Sequence, residues 1–326
     1  MLYSEKYIRA VLGWFFIIEE VRRFNHQKQT VVLARKTLQG QEQQIHTPQK
    51  SRKTMTSEAY KDLAQKIEAM APWHHNILLR GDVRTIAEQK ADATGANVTQ
   101  VDADASFKKA TGPILPNGME GRSFLDCACN CGGYSFAAKS AGAGDVYGFD
   151  VRDHWIDQAK FVLEHREADC SGMVFEVADL SALASHEESY DVTWFSGIFY
   201  HLPDPIAGLK LAADRTNELL FLNTACMPLA PGKPEVPSLQ YKTEGTEQLM
   251  SGVYGPSWLP SGPIVLKEIL GWLGFPEART YMWVERNQQS GRRSGRVAVV
   301  GAREAGRLDN MDDIARPTDL DSRRRT

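Results

Sequence analysis

The chain has 326 residues, 42% of them hydrophobic and 24% charged, with a formal net charge of −3 at pH 7. This is the composition of a globular protein forming one large domain with extensions or two small ones, and it carries no chain-wide footprint for nucleic acid. The five cysteines, an odd number, do not make a disulfide framework, and the longest apolar run, residues 10–18, is far short of the roughly 20 residues a bilayer span requires.

No small-residue cleavage site follows that run, so the expectation is a cytoplasmic protein without a signal peptide or membrane partner. Charge is unevenly spread. Residues 1–53 hold ten Lys/Arg against four Asp/Glu, an excess of +6 that leaves the remainder at −9. Such a basic arm is either a solvated extension or a contact for nucleic acid or a membrane surface. Residues 1–54 are expected to be a loosely ordered extension, with an amphipathic helix over 7–24 and a Gln-rich stretch over 39–49. The role of this segment, and whether Met55 is the functional start, stay open.

Residues 55–119 read as a helical and loop segment covering the active site. Met55 opens a helical pattern in which Leu63, Ile67 and Met70 recur at helical intervals, and residues 72–77 end it. Residues 91–110 are polar and weakly patterned, which predicts a loop-rich connection. From residue 122 short apolar runs alternate with helix-length segments. Runs over 123–127, 145–149, 173–177, 190–195 and 219–223 predict buried strands, with helices over 134–140 and 154–165. This alternation predicts a Rossmann-like, doubly wound α/β sheet of about seven strands with right-handed crossovers over 120–302. A helix follows over 264–273. Runs over 279–284 and 296–300, joined by a polar turn, predict an antiparallel C-terminal hairpin. Residues 303–326 are charged and are expected to be a disordered tail.

The strongest chemical signal is Leu125-Asp126-Cys127-Ala128-Cys129-Asn130-Cys131-Gly132-Gly133, where a strand turns into a helix. A nucleotide needs small residues there, because the backbone approaches it closely and helix-terminal N–H groups face it. The three alternating cysteines lack metal-ligand spacing and are read as small residues of a tight turn. Asp150 ends the second predicted strand, where an acid can accept from both ribose hydroxyls. Asp179 closes the third, where an adenine amino group can be met. The plain alternative for a lone Asp at a strand end is a helix cap. The order matters more than any single piece: all three acids fall at the carboxyl ends of successive strands, where open α/β sheets bind ligands.

These residues resemble class I S-adenosylmethionine-dependent methyltransferases, whose loop reads Asp-x-Gly-x-Gly-x-Gly. Here Asp126 and Gly132 match, and Ala128 and Asn130 replace the first two glycines. The resemblance covers about residues 120–301. It implies S-adenosylmethionine as cofactor, held by Asp126, Ala128, Asn130, Gly132, Asp150, Val151, Asp179, Leu180 and Ser196, with Asp150 on the ribose and Asp179 on the adenine. A narrower likeness lies in Phe199-Tyr200-His201-Leu202-Pro203-Asp204-Pro205, in Trp258-Leu259-Pro260-Ser261, in Leu273-Gly274-Phe275, in Arg296-Val297-Ala298-Val299 and in Pro72-Trp73. It is similar to a bacterial branch that includes the carboxymethyltransferase of the tRNA wobble uridine. In that enzyme a Lys, a Tyr and an Arg hold an extra carboxylate on the donor. Tyr200 and Arg296 match two of these, and His75 stands at the lysine position.

His201 and Tyr200 are the catalytic candidates, since His is the side chain best matched to proton removal near neutral pH; a buried, satisfied histidine is the alternative. His75, Trp258 and Arg296 are candidates for substrate binding, and His74 and His75 equally fit the end of a helix. The leading expectation is methyl transfer to an O or N of a small-molecule, saccharide or lipid-linked acceptor. Modification of the tRNA wobble uridine is the second, and tRNA the less favoured partner. A nicotinamide-dependent oxidoreductase, which would want a fuller G-x-G-x-x-G, and a non-catalytic nucleotide-binding scaffold are the remaining readings. Acceptor identity, the form of the donor and oligomeric state are not encoded in any of these motifs.

Overall fold

The computed structural model describes residues 16–24, 29–36, 56–86, 101–230, 232–287 and 293–319. The chain divides into two compact units, Met1–Thr54 and Met55–Thr326. In the first, β1 (Phe16–Phe24) pairs antiparallel with β2 (Gln29–Lys36). Part of the helix expected over 7–24 is therefore a strand. Ile17, Ile18 and Val21 pair with a run containing Val31 and Val32, and β-branched residues on both sides favour a pleated ribbon over a helix. Residues 7–15 and the Gln-rich stretch lie outside the described residues.

The second unit opens with α1 (Ser57–Ala69), capped by the Thr56 side chain accepting from the Ala59 N–H at 3.2 Å. Its buried residues are Leu63 and Ile67, two of the three expected from spacing; the third, Met70, is the C-cap and is partly buried. Part of the loop expected over 91–110 is instead α2 (Ala103–Thr111). Asp102 caps it, and Phe107 and Ala110 supply a short buried face that a polar surround masks in sequence.

The core is one mixed sheet. Strands β3 (Phe124–Cys127), β4 (Val146–Asp150), β5 (Met173–Val177), β6 (Tyr190–Ser196) and β7 (Thr216–Cys226) run parallel, and the antiparallel pair β10 (Glu277–Asn287) and β11 (Arg293–Ala302) joins them through β11 beside β7. Including the two-residue edge β12 (Thr318–Asp319), the order is β12-β10-β11-β7-β6-β3-β4-β5. Order reverses between β3 and β6, the switch point at which such sheets open a ligand crevice. Alternate residues of β7 enter opposite cores, Leu219 and Phe221 one and Leu220 and Leu222 the other. Both faces are covered, so the strand reads as an unbroken apolar run.

One core takes α1, α2, α3 (Gly133–Ser140) and α4 (Asp153–His165); the other takes α5 (Pro205–Ala213) and α6 (Pro263–Trp272). The sequence reading missed α5, although its signal is present: Asp204 accepts from the Ala207 N–H at 3.0 Å and Pro205 occupies the first turn. It also missed the ribbon of β8 (Leu239–Thr243) and β9 (Pro256–Pro260), whose prolines sit where an edge tolerates them. Residues 303–319 are not disordered as expected. Leu308 and Met311 are buried, the Ile314 N–H donates to the Thr280 carbonyl at 2.9 Å, and the Arg303 guanidinium lies 4.1 Å over the Phe275 ring. Apolar residues three apart, 308, 311 and 314, supply the anchor that the charged composition hides. No helix among the described residues is long and apolar enough to cross a membrane.

Candidate functional site

The carboxyl ends of β3 to β7 open into a cavity of about 700 Å³. The turn after β3 shapes one wall. Ala128, Asn130 and Gly132 all adopt left-handed backbone, with φ of 55°, 53° and 78°. The chain thus keeps the alternating conformation that glycines would take, although only the third position has one. The Asn130 side chain accepts from the Cys131 N–H at 2.7 Å, which suits the residue type that best tolerates this region. Ala128 has no such compensation. Left-handed backbone costs a residue with a Cβ about 1–2 kcal/mol, and glycine loses about 0.5–1 kcal/mol in chain entropy. Ala128→Gly should therefore raise stability by about 0.5–1 kcal/mol, read as a higher urea midpoint at unchanged slope; a lower midpoint would contradict it.

The cysteines of the turn are buried, and burial pushes the Cys131 thiol up to about 12. Asp126 is buried and accepts from the Ser135 hydroxyl at 2.6 Å; burial raises its pKa to about 7. Asp150 accepts the Asn130 N–H on one oxygen and the Arg152 N–H on the other, each at 3.0 Å. Burial raises its pKa, and these backbone donors oppose the rise. Asp179 lines the cavity and is also a cap: it accepts the Ser181 N–H at 2.8 Å and the Tyr254 hydroxyl. The plain reading of a strand-end acid, a helix cap, therefore holds for Asp179, and the residue also faces the cavity.

All the expected site residues line the cavity except Gly132 and Trp258. Gly132 shapes the turn from behind, where a Cβ would come within 2.9 Å of the Phe175 ring. Trp258 departs from the substrate-binding expectation. It sits on β9 paired with Tyr241, its ring meeting that tyrosine edge-on at 5.2 Å while Nε1 donates to the Pro203 carbonyl at 3.0 Å. These two contacts hold the ring, and Trp258 is not among the residues that line the cavity.

His75 lines the cavity, but its Nδ1 accepts from the Gly133 N–H at 3.0 Å, and its carbonyl accepts the Thr85 hydroxyl at 2.7 Å. Burial first, then His74, holds its pKa well below the usual value. The imidazole is neutral and closes the first turn of α3, so no cation stands at this position.

Tyr200 and Arg296 meet in the cavity wall. Arg296 Nε donates to Asn223 Oδ1 at 2.7 Å, and the positive charge of its guanidinium opposes the rise that burial imposes on the Tyr200 phenol. The His201 ring lies tilted at 41° against Tyr200 with ring centroids 3.8 Å apart, and its Nδ1 lies 2.5 Å from Glu244 Oε1. Burial lowers the His201 pKa, and Glu244 acts in the opposite direction. Glu244, Arg152 and Tyr254 were not foreseen. Arg152, two residues past Asp150, was open to inspection; Glu244 and Tyr254 sit in a Gly- and Ser-rich stretch without periodicity, so nothing in sequence ties them to the sheet.

Residues 124–216, which contain β3 to β6 and this turn, match the family model described as a methyltransferase domain. Residues 124–216 are a methyltransferase domain. The methyltransferase domain has curated relatives in the tRNA U34 carboxymethyltransferase of Campylobacter hominis, 33% identical over 108 residues, 32% of this chain and 37% of the relative, and that of Sulfurovum sp., 32% identical over 92 residues, 28% of this chain and 30% of the relative. The match thus spans about a third of these relatives' length. Among solved structures, the N-terminal domain of EvdMO1 with SAH bound superposes with a TM-score of 0.57 at 20% identity, covering 74% of this chain and 96% of that domain. The same domain in the presence of SAH and D-fucose gives 0.56 at 18%, covering 76% and 97%. At these identities the two structures establish the shared fold, the methyltransferase sheet with its antiparallel last strand.

Proposed function

We propose that the protein transfers a methyl group from S-adenosylmethionine to an O or N of a small-molecule, saccharide or lipid-linked acceptor. The observation that carries this reading is the left-handed turn of Ala128, Asn130 and Gly132, with buried Asp150 on one side of the cavity and His201 also in its wall. The residues present fit the donor. The turn lets backbone approach a nucleoside, and Asp150 keeps an accepting lone pair on each oxygen beyond the N–H groups it already holds.

Bound S-adenosylmethionine supplies a methyl carbon on positive sulfur; the acceptor's lone pair forms the new bond to that carbon, and the pair of the broken C–S bond stays on sulfur. What the chain must add is alignment and a place for the acceptor's proton. His201 is a group in the wall of the type suited to taking that proton near neutral pH. Tyr200 and Arg296 are the polar pair assigned to orienting the acceptor.

The donor reading predicts that calorimetry will detect binding of S-adenosylmethionine or its demethylated product, S-adenosylhomocysteine. Binding of NAD with neither of them would overturn it. A second reading, carboxymethyl transfer to the tRNA wobble uridine, is favoured by the activity for which the relatives are named. Against it stands neutral His75 at the position where the resembled branch has lysine. Losing a cation from a carboxylate grip costs about 1.5–3 kcal/mol, on the order of 10- to 100-fold in affinity. Offered both donors in equal amounts, the protein should retain mainly the ordinary one, identified by mass spectrometry. Predominant retention of the carboxylated donor would move wobble-uridine modification to first place.

A further inference from the structure

The segment between β8 and β9 crosses the donor end of the cavity, and residues 249–254 line it. Its ties run to the loops following three successive strands. Arg152, after β4, donates to the carbonyls of Gln248 and Ser251 at 3.1 and 2.9 Å. Asp179, after β5, accepts the Tyr254 hydroxyl. His201, after β6, meets Glu244 at 2.5 Å.

Glu244 Oε1 also accepts the Gly252 N–H at 3.1 Å, and a Cβ at Gly252 would lie 2.4 Å from that oxygen and 3.0 Å from the His201 Cβ. The strap is therefore folded closely onto the His–Glu pair. Each side chain of the pair is 15% exposed. An ionised carboxylate offers only lone pairs, so the proton in this contact belongs to Nδ1. With Nδ1 protonated, Nε2 of the neutral ring is an acceptor, and it makes no hydrogen bond among the described residues.

We propose that Glu244 is a positioning residue for proton transfer: it holds His201 in the Nδ1–H form, leaves Nε2 to take the acceptor's proton, and does so only while the strap is seated across the donor end. This rests on the methyl-transfer reading above. The proton leaves the acceptor O–H or N–H and ends on Nε2, and Glu244 balances the resulting imidazolium. Lys242 and Arg152 oppose that charge from the strap side and from the loop after β4, and Tyr200 packs on the ring. A mere strap anchor would need the hydrogen bond but not the charge, and this difference makes the idea testable.

The experiment is nitrogen-15 NMR of histidine-labelled full-length protein with S-adenosylhomocysteine, the His201 signal being assigned by its loss in His201→Asn. In the unaltered protein above the ring's pKa, Nδ1 should carry the proton and Nε2 should not. Glu244→Gln keeps an accepting oxygen but not the charge, and should lower the His201 pKa by about one to two units with the circular dichroism spectrum unchanged. A proton on Nε2 in the unaltered protein overturns the proposal without any variant, as does a His201 pKa that stays or rises in Glu244→Gln. Failure of the unaltered protein to bind S-adenosylhomocysteine would instead sink the methyl-transfer reading, and the tautomer would still report on Glu244.

Discussion

Asp150→Ala should weaken S-adenosylmethionine binding by about 1–3 kcal/mol, a loss of roughly 5- to 150-fold in affinity. Two effects point the same way. The direct one is the loss of a charged acceptor from the wall of the cavity, in a buried site where such hydrogen bonds are strong. The indirect one comes from the turn. The Asn130 N–H donates to Asp150, and Asn130 is one of the residues held left-handed. Without the carboxylate, that N–H loses its partner and the turn loses a restraint on the conformation that brings its backbone to the nucleoside. Asp150→Asn separates the two contributions. It keeps one oxygen for the backbone but brings donors where the ribose hydroxyls would donate, so it should restore stability more than affinity. Calorimetry with both variants checks this, and unchanged affinity in Asp150→Ala would remove Asp150 from the donor site.

The sheet was legible because its strands are buried on both faces and its helices on one. Runs such as Leu219 to Leu222 announce a buried strand, and Leu63 with Ile67 announces a helix face. The strand-end acids were legible because position along the chain fixes position in such a sheet: Asp126, Asp150 and Asp179 fall at successive strand ends whatever else the loops do. What sequence could not carry was contact across the chain. Glu244 reaches His201 over 43 residues, and His75 reaches Gly133 over 58. Neither pair has a periodicity or a motif that relates its members. Local signals failed where composition outvoted a few anchors: Asp102 and Phe107 make α2 in a polar stretch, and Leu308 and Met311 pin a charged tail. Trp258 misled in the opposite sense, since a tryptophan in a Gly- and Pro-rich stretch resembles a substrate platform until strand pairing is known.

Gly133→Ala should destabilise the protein by about 3 kcal/mol, combining overpacking of about 1–3 kcal/mol with the loss of a buried hydrogen bond worth about 1–3 kcal/mol. A Cβ there would lie 2.3 Å from the His75 Cγ, 2.5 Å from Nδ1 and 2.6 Å from the His75 Cβ. The last distance decides the outcome. Rotating the imidazole moves the ring atoms but not its Cβ, so the backbone at 75 must give way. That backbone is tied on both sides: the His74 carbonyl accepts the Val101 N–H at 2.9 Å, the Asn76 N–H donates to the Val101 carbonyl at 3.2 Å, and the His75 carbonyl accepts the Thr85 hydroxyl at 2.7 Å. Moving it also strips the Gly133 N–H of the His75 Nδ1 acceptor that closes the first turn of α3, since Gly132 offers no capping side chain. Thermal unfolding should show a fall of several degrees, about 2–4 °C for each kcal/mol in a domain of this size. His75→Gly removes the opposing Cβ, so in that background Gly133→Ala should cost clearly less than it does alone, a coupling that a double-mutant cycle measures. Strict additivity of the two changes would mean that the packing of His75 on Gly133 is not what shapes this edge of the cavity.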